Sequence, residues 1–363
     1  MRMSLPSRRP TRMALARWIC ISFALVCLDA TAATTCIQTG DVVAFQSALA
    51  TAASNNQDDV IKLQAGTYSI LPSFLIDYDP LTEHFDLTIE GGYGPNFGDP
   101  CGLAPAVPDA TVTVLDGGLL RLNMRGGTST GSLVLKGLTI KNISSASVTE
   151  PPIAIYGGNS PDSDVTLQNV VFSGNNSSGN VAIELSATQG ALSVRDSLFV
   201  SNESLVSGPI RLDVSQPTGT RCVEIISSTF TNNAGGHTTI SAQCPAVLAN
   251  DIFWGNGASD LYVAYPQNTL VANVDLGNLG DASGTLAANL LSVDPLFKSA
   301  NESYALGDLS PLRDAGDLGG LFFVLDPYDL VGNVRTYGAK PDIGASEIQD
   351  VIFANGADFQ LPF

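Results

Sequence analysis

Between residues 165 and 256 the apolar positions follow two rhythms, one short and one long. Seven residues before a phenylalanine stand Val165, Leu192, Val223 and Ala246, and five before it stand Leu167, Val194, Ile225 and Leu248. Alternation of this kind marks strands with one buried face. The phenylalanine closes a phrase that returns four times: Asn169-Val-Val-Phe172-Ser-Gly-Asn175, Asp196-Ser-Leu-Phe199-Val-Ser-Asn202, Ser227-Ser-Thr-Phe230-Thr-Asn-Asn233 and Asn250-Asp-Ile-Phe253-Trp-Gly-Asn256. The Phe-to-Phe spacings are 27, 31 and 23 residues, and a weaker copy precedes them at Gly137-Leu-Thr-Ile140, with its asparagine at Asn142. Self-similarity at this period predicts a solenoid, in which a repeat buries its apolar face only by stacking on its neighbours. The phenylalanines are expected to stack inside the coil. The asparagines are expected to form an amide ladder at a turn, where Asn tolerates left-handed backbone.

A second strand column precedes each phrase. It aligns Leu120-Arg-Leu122-Asn123, Ile153-Ala-Ile155-Tyr156, Val181-Ala-Ile183-Glu184, Ile210-Arg-Leu212-Asp213 and Thr238-Thr-Ile240-Ser241. With the aliphatic positions inward, the outward line reads Asn123, Tyr156, Glu184, Asp213, Ser241. Arg121 and Arg211 run beside it, and His237 lies one step earlier at the same parity. Upstream, Phe45, Ala48, Leu49 and Ala52 recur at helical spacing over residues 41–54, with Asp41 placed to suit the helix dipole. Such a helix would cover the open end of the solenoid, whose terminal strand edge is otherwise unpaired. A strand broken by Gly66 follows at residues 60–70, and residues 93–110 read as a loop.

The first 32 residues read as a Sec-type export signal: a leader carrying Arg2, Arg8, Arg9, Arg12 and Arg17, the apolar run Trp18 to Leu28, and small residues at Ala30-Thr31-Ala32. Removing it leaves 12 basic against 34 acidic residues, a net charge of −22 where the full chain carries −18. A surface of that sign excludes nucleic acid and anionic lipid as partners. No later segment reaches the ~20 apolar residues of a membrane span. Cys20 and Cys27 depart with the leader, and the four that stay suggest two disulfides in an oxidising compartment, with Cys36–Cys101 and Cys222–Cys244 the preferred pairing of three.

The repeat columns resemble the right-handed parallel β-helix of the pectin-lyase-like superfamily. The start, Cys36-Ile-Gln through Gly66-Thr67-Tyr68, is similar to an amino-terminal module of secreted bacterial β-helix proteins. Asn289 to Phe297, Leu309 to Asp317, Gly332-Asn333-Val-Arg335 and Asp342-Ile-Gly-Ala345-Ser-Glu347 closely resemble the choice-of-anchor Q domain. The resemblance implies an all-β, single-stranded right-handed parallel β-helix that is secreted or displayed at a bacterial cell surface. The division it suggests is a signal at 1–32, a cap and first rungs at 33–110, β-helix repeats at 111–287, the anchor-like module at 288–349 and a tail at 350–363.

Chemistry gathers in one place. In the alignment above, Glu184 and Asp213 fall on adjacent rungs, about 4.8 Å apart, close to the roughly 5–5.5 Å between carboxyls in retaining glycosidases. Two carboxylates so near would split their pKa values into an acid and a base. The same pair would hold Ca²⁺, with Arg211 or Arg121 meeting a substrate carboxylate. The plainer reading is an exposed strand face of mixed charge. No paired-Asp or Gly-His-Gly signature of the polygalacturonase type is present, nor an Arg-rich pectate-lyase block. The expected role is therefore noncatalytic binding or scaffolding, with a polysaccharide or cell-surface glycan as ligand and no required cofactor. Tyr156, Asn123, Arg121, His237 and Trp254 are the candidate contacts. A polysaccharide lyase or glycoside hydrolase built on Glu184, Asp213 and Arg211 is the alternative.

Overall fold

Alternation in the sequence becomes a coil of parallel strands. The computed structural model describes residues 32–80, 84–94, 101, 102, 104, 105, 107–125, 128–147, 149–179, 181–206, 208–216, 222–298, 304–320 and 323–349. Residues 1–31 of the expected leader and the expected tail at 350–363 lie outside them. Each turn contributes a strand to three parallel sheets in succession, and every strand pairs with its counterpart one turn away, giving a parallel β-helix. Val165–Ser173, Leu192–Arg195, Val223–Ile226 and Ala246–Ala249 stack in one sheet, with Val165, Leu192, Val223 and Ala246 in register. Leu198–Val200, Thr229–Thr231 and Ile252–Trp254 stack in the next, and Ile153–Tyr156, Ile183–Ala187, Ile210–Val214 and Thr238–Ala242 in the third.

The helix spans Val42–Ala52, with Asp41 as its N-cap accepting the Ala44 N–H, and it buries Phe45, Ala48, Leu49 and Ala52. Its apolar stripe packs on the first strands of the coil, so it covers that end. Gly66 adopts φ +135° where the chain turns from Asp59–Gln64 into Gly66–Tyr78, and a Cβ there would lie 2.2 Å from the Thr39 methyl. Both expected disulfides form: Cys36–Cys101 with Cα atoms 4.7 Å apart and Cys222–Cys244 with 5.9 Å.

Inside the coil Phe172, Phe199, Phe230 and Phe253 stack face to face, their centroids 4.9, 4.5 and 4.6 Å apart. Those separations match the 4.7–4.9 Å strand spacing, so the rings add contact without distorting the rungs. Three residues on, Asn175, Asn202, Asn233 and Asn256 are buried and joined by Nδ2-to-Oδ1 bonds, those along Asn175–Asn202–Asn233–Asn256 each 2.9 Å long. Each Nδ2 also donates to a carbonyl of the preceding rung, and each inner Oδ1 also accepts the backbone N–H of the preceding asparagine. Ile143, not Asn142, occupies the ladder position of the weak copy: its N–H donates to Asn175 Oδ1 at 3.0 Å. At the other end the Asp260 carboxylate receives the Asn256 N–H at 2.7 Å, and burial raises its pKa.

Residues 288–349 contain few regular strands and lie along the turn that precedes the phenylalanines. Arg335, fully buried, donates to Asp196 of the coil and to the carbonyls of Gly344 and Ala345. Asn169 donates to Asp329 O at 2.7 Å, and Asn250 exchanges two bonds with the backbone of Asp317. Asp329, Asp342 and Glu347 accept backbone N–H groups within the segment itself. Burial pushes the Glu347 carboxyl up to about 7. The sequence blocks at 309–317, 332–335 and 342–347 thus supply the contacts that seat this segment on the coil.

Truncating Asn202 to Ala would remove the acceptor of the Asn175 N–H and of one Asn175 Nδ2 proton and the side-chain donor to Phe172 O, while Asn233 Oδ1 keeps only the Asn202 backbone N–H, at about 1–3 kcal/mol per orphaned buried group. Chemical denaturation of Asn202→Ala is expected to show a loss of about 3 kcal/mol or more. A loss below about 1 kcal/mol would mean that the ladder does not hold the turns.

Candidate binding face

The third sheet presents its outward side chains in two columns. One runs Arg121, Ala154, Glu184, Arg211, Thr239, Tyr262 and the other Asn123, Tyr156, Ser186, Asp213, Ser241. This register corrects the sequence alignment at one rung. Glu184 lies opposite Arg211, and Ser186 takes the place beside Asp213. The expected cross-rung pair of Glu184 and Asp213 is therefore not formed: they sit one rung and two residues apart, about 8 Å between Cα atoms from strand rise and spacing. A slip of two residues keeps every side chain on its own face, so apolar alternation cannot detect it. Ile183 follows Asn175 by eight residues and Ile210 follows Asn202 by eight, so these two rungs share one loop length.

At the end nearer the helix the face is tied up in pairs. Arg121 makes a bidentate bond to Asp77, 2.8 and 2.7 Å, and that bond holds its guanidinium charged. Asn123 donates to Asp79 at 2.8 Å. In the middle, Tyr156 Oη donates to Glu184 Oε2 at 2.9 Å. Burial and the adjacent Glu184 charge push the phenol pKa up, so it stays a donor. Arg125 lies 4.1 Å over the Tyr156 ring and donates to Ser186 Oγ. Arg125 stands just past its strand and outside the repeat columns, so nothing in the sequence pattern pointed to it.

Beyond this cluster the face opens into a groove of about 710 Å³, walled by Val181, Val206 and Tyr262 and floored by Arg211, Thr239 and Ser241. His237 stands at its edge, its ring 5.2 Å from that of Tyr262 and tilted 40°. Arg211 is exposed, and neither it nor Asp213, its neighbour two residues on, has an ion pair or side-chain hydrogen bond among the described residues. Trp254 is elsewhere. It projects from the second sheet and packs against the apolar cluster that Ile252 forms with Leu306, Leu312, Ile343 and Ile348, and it does not line the groove. Among the described residues no group of three or more His, Cys, Asp or Glu side chains is arranged to hold a metal ion. No described helix is long and apolar enough to cross a membrane.

The arrangement offers a guanidinium and a carboxylate free to bind, two hydroxyl side chains, and an aromatic wall. It can hold a polar ligand by hydrogen bonds while an aromatic ring packs on the ligand's apolar face. Compared with protein-family models and with curated proteins, the chain matches none.

Unpartnered side chains should contribute little to folding. Arg211→Ala and Asp213→Ala are expected to change stability by less than about 0.5 kcal/mol. Arg125→Ala, which removes a cation–π contact and a hydrogen bond, should cost about 1–2 kcal/mol. Equal losses at Arg211 and Arg125 in thermal unfolding would contradict this division of the face.

Proposed function

We propose that the chain is a secreted or cell-surface β-helix protein that binds glycans without turning them over, using the groove around Arg211. The observation that carries this reading is the juxtaposition of unpartnered Arg211 with the Thr239 and Ser241 hydroxyls beside the Tyr262 and His237 rings, with Asp213 in register with Ser241 one rung away. Free polar groups next to an exposed ring suit a saccharide, which has hydroxyls at its rim and apolar C–H faces. Two disulfides and an acidic surface fit an exported protein. Kinship with the pectin-lyase-like superfamily and with the choice-of-anchor Q domain is part of this proposal, supported by the parallel rungs and by the 288–349 blocks quoted above.

A hydrolase or lyase acting on acidic polysaccharide is the second reading. Glu184 and Asp213 share a face one rung and two residues apart, and two carboxyls on one face are what an inverting glycosidase needs, with room between them for a water. Against it, Tyr156 occupies one oxygen of Glu184.

The two readings separate in one experiment. The mature protein is incubated with a panel of neutral and acidic polysaccharides, with and without Ca²⁺, and binding, unsaturated products and reducing ends are followed together. Binding without products is expected, weakened at least tenfold (about 1.4 kcal/mol) by Arg211→Ala or Tyr262→Ala. Products that vanish in Glu184→Gln would establish the enzyme instead. Binding that survives both groove substitutions would overturn the assignment of the site.

A further inference from the structure

One buried column of the coil carries acid where its neighbours carry hydroxyls. Two residues before Phe199, Phe230 and Phe253, on the turn that seats residues 288–349, stand Ser197, Ser228 and Asp251, with Val170 before Phe172. The two serines behave identically. Each accepts an N–H from the rung before, Val170 to Ser197 at 3.2 Å and Ser197 to Ser228 at 3.3 Å. Each donates its hydroxyl proton to the carbonyl two residues back, Ser197 to Arg195 O at 2.7 Å and Ser228 to Ile226 O at 3.1 Å. Asp251 continues the first half of this pattern, taking the Ser228 N–H on Oδ1 at 2.8 Å. Its Oδ2 is buried and has no partner, and the carbonyl equivalent to Arg195 O and Ile226 O in its rung is that of Ala249. A carboxylate cannot donate there. A carboxylic acid can.

We propose that Asp251 is held as a neutral carboxylic acid that replaces a serine hydroxyl in this column, donating to Ala249 O, and that its ionisation as pH rises unseats the C-terminal segment. The connection to that segment is direct. The adjacent residue, Asn250, exchanges 2.9 and 2.8 Å bonds with Asp317, and its carbonyl accepts the Gly344 N–H at 2.8 Å. The charged groups facing Asp251 are Asp196 of the coil and Arg335 of the segment. Asp196 in turn feels Asp326, while Asp329 and Glu347 face Arg335. Arg335 is thus already shared among several carboxylates, so a new charge at Asp251 gains no cation of its own. Burial raises the Asp251 carboxyl well above its usual range, opposed by the backbone groups of Ser228 and Ala249 and by Arg335.

The sign follows from linkage. A carboxyl whose folded pKa is raised contributes stability that is complete below its unfolded pKa, near 4, and is lost as pH climbs through the folded value. Glu347, pushed to about 7, and Asp275, pushed to about 6 by burial, act in the same direction. The test is therefore a difference between wild type and Asp251→Asn, whose amide can donate to Ala249 O and accept from Ser228.

On the full mature chain, infrared spectra at neutral pH should show a carboxylic C=O band in wild type that Asp251→Asn lacks. Amide exchange over residues 312–348, corrected for intrinsic rates, should show opening of wild type rising up to tenfold more per pH unit than the variant, the effect of one proton. Parallel pH profiles, or no carboxylic band lost on substitution, would overturn the proposal. Should Asp251→Asn fail to fold, Asp251→Ser restores the side chain of the two preceding rungs and serves as the comparison. Should that fail too, a wild-type carboxylic band titrating in step with the loss of protection supports the proposal, and its absence overturns it.

Discussion

The coil from Ile143 to Asp260 hangs on the buried asparagine ladder. A parallel coil must turn its backbone at every corner, and each turn buries amide groups that water cannot reach. Here Asn202 and Asn233 each satisfy four such groups across three rungs, and the buried chain from Ile143 to Asp260 leaves none of its ladder bonds to solvent. Each bond adds about 1 kcal/mol net, but an unmade one costs about 1–3 kcal/mol. The penalty for slipping by one repeat position therefore far exceeds the gain from making any single bond. The phenylalanine stack follows from this, since rungs locked in phase bring identical side chains to the strand spacing.

That lock also decides where chemistry can gather. Side chains pointing inward are committed to the core, and the turn before the phenylalanines is covered by residues 288–349 through Arg335 and Asn250. The outward face of the third sheet is left uncovered around Arg211, and it is uneven. Near the helix Arg121 is paired with Asp77 and Asn123 is bonded to Asp79, and at Glu184 the tyrosine hydroxyl takes up one carboxylate oxygen. Around Arg211 polar groups stand without partners, among the described residues, beside an aromatic wall. An internally satisfied region holds shape, while an unsatisfied one retains free energy for a ligand.

Much of the fold was legible because its signals are periodic. The phenylalanine phrase and the helix stripe of Phe45, Ala48, Leu49 and Ala52 each rest on a spacing that one sequence displays, while the cysteine pairs rest on an even count. The binding face was legible only by column. Parity placed Arg211, Asp213 and Tyr156 on the outside correctly, yet parity is blind to a shift of two, so Glu184 was set against the wrong neighbour. Arg125 and the Tyr262–His237 contact depend on long side chains meeting across rungs, and such contacts leave no period. Trp254 was misplaced for a different reason: its outward direction was readable, but the segment that covers it arrives from residues 291 to 348, far along the chain. The weak first copy misled by one residue, because an isoleucine amide can end a ladder that asparagines build.

The measurement that tests this account most directly is cross-linking across the face. Cysteines at 184 and 211 would sit in register on adjacent rungs, within the 4.4–6.8 Å Cα range of a disulfide, whereas cysteines at 184 and 213 would be about 8 Å apart. Oxidation followed by mass spectrometry of the non-reduced peptides should show a bridge in Glu184→Cys/Arg211→Cys and none in Glu184→Cys/Asp213→Cys. The reverse outcome would mean that the asparagine ladder does not set the rung register, and the groove built upon that register would fall with it.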